Sequence, residues 1–336
     1  IRDAAGYVGN FKTQVTTPQG DQEVSHGITI LATGGRATDS QEYLYGQSER
    51  VSKWHELENK TQALQAANCV AFIQCVGSRD ENRPYCSHIC CATSLRQAIA
   101  IKEADPKKQV VIIYRDIRTP GEKELLYKQA RELGVIFIRY DLERKPVVRE
   151  TQECLEIEVF DPVLQQEVIV QADLLNLATA IEPSATRDLA SLFKLPVNDE
   201  QFFMEAHAKL RPVEFASDGL FVCGLAHYPK AIEESIAQAQ AAASRAVTIL
   251  SQAQVHISPL ISQIDQSKCI GCGLCVELCP FGAIQAEEVE EGVTRAVNIP
   301  ASCKGCGLCA ASCPQRAIDM LHFRDAQIEA SIEAAV

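Results

Sequence analysis

The sequence predicts an α/β protein that ends in a small cysteine-bound module. Two observations carry this. Strand and helix patterns alternate over residues 69–140, and eight cysteines fall in two matched runs: Cys269, Cys272, Cys275, Cys279 and Cys303, Cys306, Cys309, Cys313. Each run reads C-x-x-C-x-x-C-x-x-x-C and closes on a proline, Pro280 or Pro314. This is the ligand spacing of a bacterial-type ferredoxin with two [4Fe–4S] clusters, in which three thiolates of one run hold a cluster and the fourth reaches across to the other. Cys269, Cys272, Cys275 and Cys313 are thereby assigned to one cluster, and Cys303, Cys306, Cys309 and Cys279 to the second. A disulfide framework is the alternative for so many cysteines, but it does not require two copies of this register. The spacing points to one-electron transfer.

Composition agrees. The 336 residues can support two or more cores. Fifteen cysteines in a reducing compartment imply metal binding. The formal charge of −12 argues against nucleic acid as a partner. No basic-then-apolar leader or membrane-length apolar run is present, so a soluble, cytoplasmic protein is expected. The sequence opens at Ile1 as if in the middle of a fold, which is read as a fragment or one half of a split protein.

Along the chain, Phe11–Thr17 alternates as a strand and turns at Pro18-Gln19-Gly20-Asp21 toward the apolar run Ile28–Leu31. That run ends at Ala32-Thr33-Gly34-Gly35, where glycine lets a ligand approach the backbone. Residues 36–66 are polar and are expected to wrap the surface, with Trp54 as a packing anchor. Val70–Ile73, Val110–Tyr114 and Val135–Arg139 read as buried strands, separated by helices over Ser94–Lys102 and Glu122–Leu133. Residues 155–178 suggest a hairpin and the strand Leu174–Ala178. Asp218-Gly219 turns into the strand Leu220–Val222, and Pro229 opens an alanine-rich helix from about Lys230 to Leu250. A polar linker, Ser251–Gln266, leads to the cysteine module. There Cys279-Pro280-Phe281-Gly282-Ala283-Ile284 repeats as Cys313-Pro314-Gln315-Arg316-Ala317-Ile318, marking two related halves. The acidic stretch Glu287–Glu291 between them reads as a solvated loop.

The first strand of residues 69–140 does not lead into the G-x-G-x-x-G that would seat a pyrophosphate on a helix N-terminus. It leads into Gln74-Cys75-Val76-Gly77-Ser78-Arg79 and then Tyr85-Cys86-Ser87-His88-Ile89-Cys90-Cys91. Four cysteines within seventeen positions at a strand end suggest a third cluster, held by Cys75, Cys86, Cys90 and Cys91. Cys69 in place of one of the adjacent pair is an alternative, and small buried side chains are the plain one. Cys154 and Cys223 are expected in the core.

These cysteine segments, with Phe202-Phe203-Met204-Glu205-Ala206-His207-Ala208-Lys209-Leu210-Arg211-Pro212 and Asp218-Gly219-Leu220-Phe221-Val222-Cys223-Gly224, resemble the A subunit of heterodisulfide reductase over essentially the whole chain. The resemblance implies an iron–sulfur flavoprotein with a thioredoxin-reductase-like α/β core. The implied organisation is a partial FAD-binding domain and linker (1–66), a Rossmann-like inserted domain carrying the cysteine loop (67–182) and a return to the FAD-binding domain (183–252). A linker (253–264), a C-terminal bacterial-type 2[4Fe–4S] ferredoxin domain (265–322) and a tail (323–336) follow. It further implies FAD contacts from Thr33, Gly34 and Gly35, from Gly219 and Gly224, and from Pro229, Lys230 and Ala231, where a helix start would favour negative charge on a reduced flavin. Arg96 and His227 are further candidates near the flavin. Leu225 departs from the Gly-Asp pair of such flavoproteins.

Three [4Fe–4S] clusters and FAD are therefore expected, in an oxidoreductase subunit that passes, and in the family is proposed to split, electron pairs. No catalytic acid, base or nucleophile is picked out. The implied partners are subunits resembling B and C of heterodisulfide reductase, hydrogenase- or formate-dehydrogenase-type donors, ferredoxin, and a second copy within a larger complex. The FAD glycine fingerprint is absent from this sequence, so an upstream segment or another chain is expected to supply it. Two alternatives remain: an iron–sulfur relay without flavin, and a similar subunit of a sulfate-reduction or aromatic-ring reductase complex.

Overall fold

The computed structural model describes residues 1–184 and 186–335. One unit comprises Gly34–Ser184 with Tyr228–Ser235; the rest of the described chain, starting with Ile1–Thr33, forms the other.

The chain begins with an antiparallel meander, β1 (Asp3–Tyr7), β2 (Asn10–Thr17) and β3 (Gly20–His26). The expected hairpin is present, and β1 adds a strand ahead of it through the tight turn at Val8-Gly9. Alternation drives the pairing: Phe11 and Thr13 are buried while Asn10 and Lys12 face solvent. The chain then enters β4 (Thr29–Leu31).

The second unit starts with β5 (Gly35–Ala37) and β6 (Val51–Lys53), then α1 (Thr61–Ala66), β7 (Cys69–Val76), α2 (Cys90–Ala104), β8 (Gln109–Tyr114), α3 (Glu124–Glu132) and β9 (Ile136–Arg139). A side meander of β10 (Val147–Glu150), β11 (Leu155–Asp161) and β12 (Gln166–Ala172) precedes β13 (Leu174–Thr179) and β14 (Ile181–Pro183). Strands β6, β13, β7, β8 and β9 form, in that order, one parallel sheet. Parallel sheets are covered on both faces, so their strands are apolar nearly throughout. Phe72, Ile73, Ile112, Ile113 and Leu175 are accordingly fully buried, each contributing about 2 kcal/mol.

Two expectations change here. Residues 36–66 do not simply wrap the surface, because Val51, Ser52 and Lys53 are buried as the edge strand β6. Lys53 hid that strand: its ammonium reaches the Asp39 carboxylate at 2.6 Å, which lets a charged residue sit in a buried position. Trp54 follows, half-buried, its backbone N–H bonding Leu177 O at 3.1 Å and its carbonyl accepting Gln97 Nε2 at 2.7 Å. Helix α2 also starts a full turn earlier than Ser94, and this places Cys90 and Cys91 in its first turn.

Returning to the first unit, α4 (Thr186–Phe193) and β15 (Leu220–Val222) lead to α5 (Ile232–Leu250), whose residues from Ile236 onward belong to this unit. Strand β15 pairs in parallel with β4, Leu220 opposite Thr29 and Val222 opposite Leu31. The cysteine module contains β16 (Ser262–Ile264), α6 (Leu274–Leu278), β17 (Ile284–Glu290), β18 (Val293–Asn298), α7 (Leu308–Ser312) and β19 (Ile318–Met320), and α8 (Asp325–Ala335) ends the described chain. The end of the polar stretch 251–266 is thus a strand, β16, paired with β19. Glu287–Glu290 lies in the β17–β18 hairpin rather than a loop, with its side chains exposed.

Candidate metal centres and cofactor site

The two cysteine runs fold into a pseudo-symmetric pair of turns. Each C-x-G-C turn is followed by a glycine in the left-handed conformation, Gly273 or Gly307, both at φ 77°, which starts a one-turn helix. Each run then ends in a Cys-Pro that sends the chain into a strand. One small cavity is lined by Cys269, Cys272, Cys275 and Cys313, and a second by Cys303, Cys306, Cys309 and Cys279. Each cavity thus brings three cysteines of one run together with the last cysteine of the other. Backbone amides converge on the sulfurs: Ala283 N–H points at Cys279 Sγ at 3.3 Å, Ala317 N–H at Cys313 Sγ at 3.4 Å and Ser262 N–H at Cys303 Sγ at 3.4 Å. All fifteen cysteines are free thiols, so the disulfide alternative finds no pair. Among the described residues no three His, Cys, Asp or Glu side chains converge to grip a single ion. Four thiols spread around a cavity suit a cluster instead, in which each sulfur holds a different iron.

The second constellation sits at the carboxyl end of the parallel sheet, where open α/β sheets place their ligands. Cys75 is the last residue but one of β7, the central strand, while Cys90 and Cys91 open α2. The adjacent thiols diverge: Cys90 Sγ points to Thr179 O (3.8 Å) at the end of β13, and Cys91 Sγ to Asp116 O (3.7 Å) just beyond β8. Those two strands flank β7, so the pair straddles Cys75 rather than crowding one direction. Burial, then the mutual influence of Cys75, Cys86, Cys90 and Cys91, pushes the Cys90 thiol far up. Burial pushes Cys91 up to about 11. Cys69 starts β7, six residues and about 20 Å from Cys75 at ~3.3 Å per residue, and its neighbours are Asp173 and Cys154. It does not join the four. Cys154 lies half-buried in the turn before β11, near Thr151 Oγ1 at 3.7 Å, rather than in the core, whereas Cys223 is buried as expected.

The loop carrying these cysteines is strained and pinned. Cys75, Arg79 and His88 adopt φ of 60°, 59° and 62°, each costing about 1–3 kcal/mol and characteristic of functional loops. Ser78 Oγ donates to Tyr85 O at 2.8 Å, Tyr85 Oη to Ile181 O at 2.7 Å, and Ile181 N–H to Ser87 Oγ at 3.0 Å. Sequence reasoning missed Arg79 as a site residue. Its Nη1 lies 3.9 Å from Cys75 Sγ and its Nη2 binds Asp116 Oδ2 at 2.6 Å. Its position four residues after Cys75 was the only signal; nothing in the sequence pointed to Asp116.

The residues expected at the flavin divide between the units. In the first, the parallel pairing of β4 and β15 sets Thr33 and Gly224 just beyond two neighbouring strand ends. Thr33 Oγ1 is buried without a hydrogen-bond partner, and the space a Cβ would take at Gly224 is open, which fits a polar ligand over these ends. The Gly224 N–H is held by Gln238 Oε1 at 2.8 Å, and Gln238 Nε2 meets His227 Nδ1 at 3.0 Å. Because the amide oxygen takes the Gly224 proton, its nitrogen donates to Nδ1; His227 Nε2 then faces the Glu205 carboxylate. Gly219 is explained by packing, since a Cβ there would stand 3.0 Å from Val8 and Phe11. In the second unit, Gly34 precedes β5 and Gly35 opens it, and Gly34 O accepts from Ser184 N–H at 3.3 Å. The α5 start follows Pro229, with Lys230 Nζ on Tyr228 O at 2.7 Å and the Ala231 N–H engaged by Glu234 Oε2 at 2.8 Å. Arg96 is exposed on α2.

Residues 262–320 match the 4Fe-4S dicluster domain family. The chain is 39% identical over 336 residues to the A subunit of the H(2):CoB-CoM heterodisulfide,ferredoxin reductase of Methanothermobacter thermautotrophicus, covering 94% of this chain and 50% of that one. By sequence, the chain is a relative of the heterodisulfide reductase A subunit. The iron-sulfur A subunit of the CoB--CoM heterodisulfide reductase of Methanocaldococcus jannaschii is 37% identical over 333 residues, 92% of this chain and 50% of that one. The chain thus spans about half the length, or less, of the A-subunit relatives it matches. In fold it is similar to Lactococcus lactis thioredoxin reductase in its FR conformation, with a TM-score of 0.50 at 13% identity over 75% of this chain and 74% of that one. This relative of the heterodisulfide reductases therefore has a thioredoxin-reductase-like α/β fold followed by a 4Fe-4S dicluster domain. Among the described residues no helix is long and apolar enough to cross a membrane.

Proposed function

We propose that the chain is the electron-carrying part of a heterodisulfide-reductase-type oxidoreductase subunit, passing electrons between FAD and three [4Fe–4S] clusters. The observation that carries this reading is the pair of cavities, each walled by three cysteines of one run and the last cysteine of the other. When bound, the clusters supply one-electron steps, and the flavin supplies the ability to take two electrons together and release them singly.

The chain's own groups then have definite tasks. The cysteines of the two runs hold the ferredoxin clusters, and Cys75, Cys86, Cys90 and Cys91 hold the third. Amide N–H groups aimed at Cys279, Cys303 and Cys313 stabilise charge on the sulfurs of the reduced state and so raise the potentials. The α2 N-terminus, which has no side-chain cap, does the same for the third centre. Thr33, Gly34, Gly35, Gly219, Gly224, Pro229, Lys230 and Ala231 are proposed to border the flavin. The partners are the other redox subunits of such a complex, and a second copy of the chain.

A specific observation favours a second reading, a relay without flavin. The Gly224 and Ala231 amides are already engaged by Gln238 and Glu234, and Gly219 is needed for packing. Visible absorption of the anaerobically purified protein separates the two. A flavin band over broad iron–sulfur absorbance supports the first reading, whereas broad absorbance alone supports the relay.

A further inference from the structure

The two cysteine turns are identical over seven residues except at one position. Cys269–Cys275 reads C-I-G-C-G-L-C and Cys303–Cys309 reads C-K-G-C-G-L-C, so Ile270 stands where the other turn has Lys304. The next residues, Gly271 and Gly305, have φ of 70° and 68°. The two backbones therefore take the same course, and the exchanged side chains leave from equivalent places. Ile270 is 63% exposed. The Lys304 side chain is only 23% exposed, because its ammonium bonds the Asp218 carboxylate.

Asp218 is a fixed partner. It directly precedes Gly219, whose carbonyl accepts Thr29 N–H at 2.8 Å where β4 meets β15. Its second oxygen takes Arg211 Nη2 at 3.3 Å, and Arg211 is gripped in turn by Glu214, through Nε at 3.0 Å and Nη2 at 2.8 Å. Arg245 closes this network from α5. The same end of the module makes further contacts with this part of the chain. Phe281, Gly282 and Ser302, which flank Cys279 and Cys303, share a cavity with Phe11, Leu192 and Asp218. A Cβ on Gly282 would stand 3.3 Å from Lys194 Nζ, and the other half carries its own cation, Arg316, at the repeated position. Cations thus stand at both Cys-Pro turns, whereas within the matched turns only Lys304 adds one.

We propose that Asp218 is a positioning residue for the centre held by Cys303, Cys306, Cys309 and Cys279. By holding and neutralising the Lys304 ammonium, it keeps the potential of that centre below the value a bare lysine would give. The inference rests on the reading that the two cavities hold clusters. Reduction adds one electron, and so one negative charge, to a cluster. A bare cation one residue from a ligand favours that state and a bare anion opposes it. A lysine fixed on a carboxylate does little of either, and an outer partner of this kind tunes a centre without touching it.

The test is a redox titration of the assembly purified without oxygen, poised with dithionite and followed by electron paramagnetic resonance. Low ionic strength keeps screening small. The signal missing from Cys306→Ser identifies the centre. Asp218→Asn, which leaves the lysine bare, is expected to raise its midpoint potential. Lys304→Ile, which makes the two turns identical and takes the lysine from the carboxylate, is expected to lower it. The double variant should fall between the two, Lys304→Arg should stay close to the unaltered protein, and the twin centre should move less in every case. Opposite signs separate a charge role from a merely structural one, because lost contact alone would act the same way in both single variants. Ile270→Lys, an exposed change, should raise the twin's potential instead, and with Lys304→Ile it decides the matter if Asp218→Asn loses iron. Shifts of one sign, no shift, or equal movement of both centres overturns the proposal. Absence of both module signals from the unaltered protein sinks the cluster reading and this inference with it; both signals present with the wrong shifts sinks this inference alone.

Discussion

Arg79 binds Asp116 at 2.6 Å through one guanidinium nitrogen and turns the other toward the sulfur of Cys75, 3.9 Å away. The Arg79 hydrogen bond holds the Asp116 carboxyl below its ordinary range, so both charges of the pair are present near neutral pH. A fixed cation beside a thiolate ligand stabilises the more negative, reduced state of a cluster. Arg79→Gln is predicted to lower the midpoint potential of the centre at Cys75, with Arg79→Lys in between. A redox titration followed by electron paramagnetic resonance measures this; an unchanged potential would remove Arg79 from the site.

The crossover of the fourth cysteine gives a sharper prediction. Cys313→Ser should perturb the same spectroscopic signal as Cys269→Ser, although the two lie in different runs. Cys279→Ser should pair in the same way with Cys303→Ser. Each variant should lose about four irons if serine fails to hold its cluster. Signals that group by run instead of by cavity would reject the assignment.

Gly271 and Gly305 occupy equivalent places in the two C-x-G-C turns. A Cβ at Gly271 would stand 2.1 Å from the Thr294 carbonyl oxygen, and at Gly305 2.5 Å from that of Leu260. Both also have φ near +70°. Gly271→Ala and Gly305→Ala are each predicted to destabilise the module by at least ~2 kcal/mol. Thermal unfolding of the cluster-loaded protein checks this through the loss of iron–sulfur absorbance.

Acid should weaken the first unit through Glu214. Burial alone would raise its carboxyl, but hydrogen bonds from Arg245 and Arg211 outweigh burial and hold it below its ordinary 4.5. A carboxyl depressed on folding contributes stability that is present above that ordinary value and is lost as pH falls through the folded one. Both arginines are about half exposed, so screening limits the gain. Glu214→Gln should cost about 1–2 kcal/mol at pH 7 and far less at pH 3. Denaturant unfolding at the two pH values measures the difference.

How far the sequence could be read follows from how local each signal is. The two cysteine runs, and the grouping of three from one run with the last of the other around each cavity, were legible because their spacing fixes turn geometry within eleven residues. The parallel sheet was legible from the apolar runs at Val70, Val110 and Leu174. Strand β6 was not, because Lys53 owes its burial to Asp39, a pairing that composition does not reveal. The start of α2 was missed because Cys90 and Cys91 were read with the cysteine loop, whereas they open the helix. Asp116 and the amide donors to sulfur came only with coordinates, since long-range folding brings them to the cysteines.

Three iron–sulfur centres in one chain, with a flavin beside them, would fix its metal and cofactor content. The most direct measurement is iron, acid-labile sulfide and flavin per chain in anaerobically purified assembly. About twelve irons, as many sulfides and one FAD are predicted. About eight irons would contradict the third centre and leave Cys75, Cys86, Cys90 and Cys91 as packing residues.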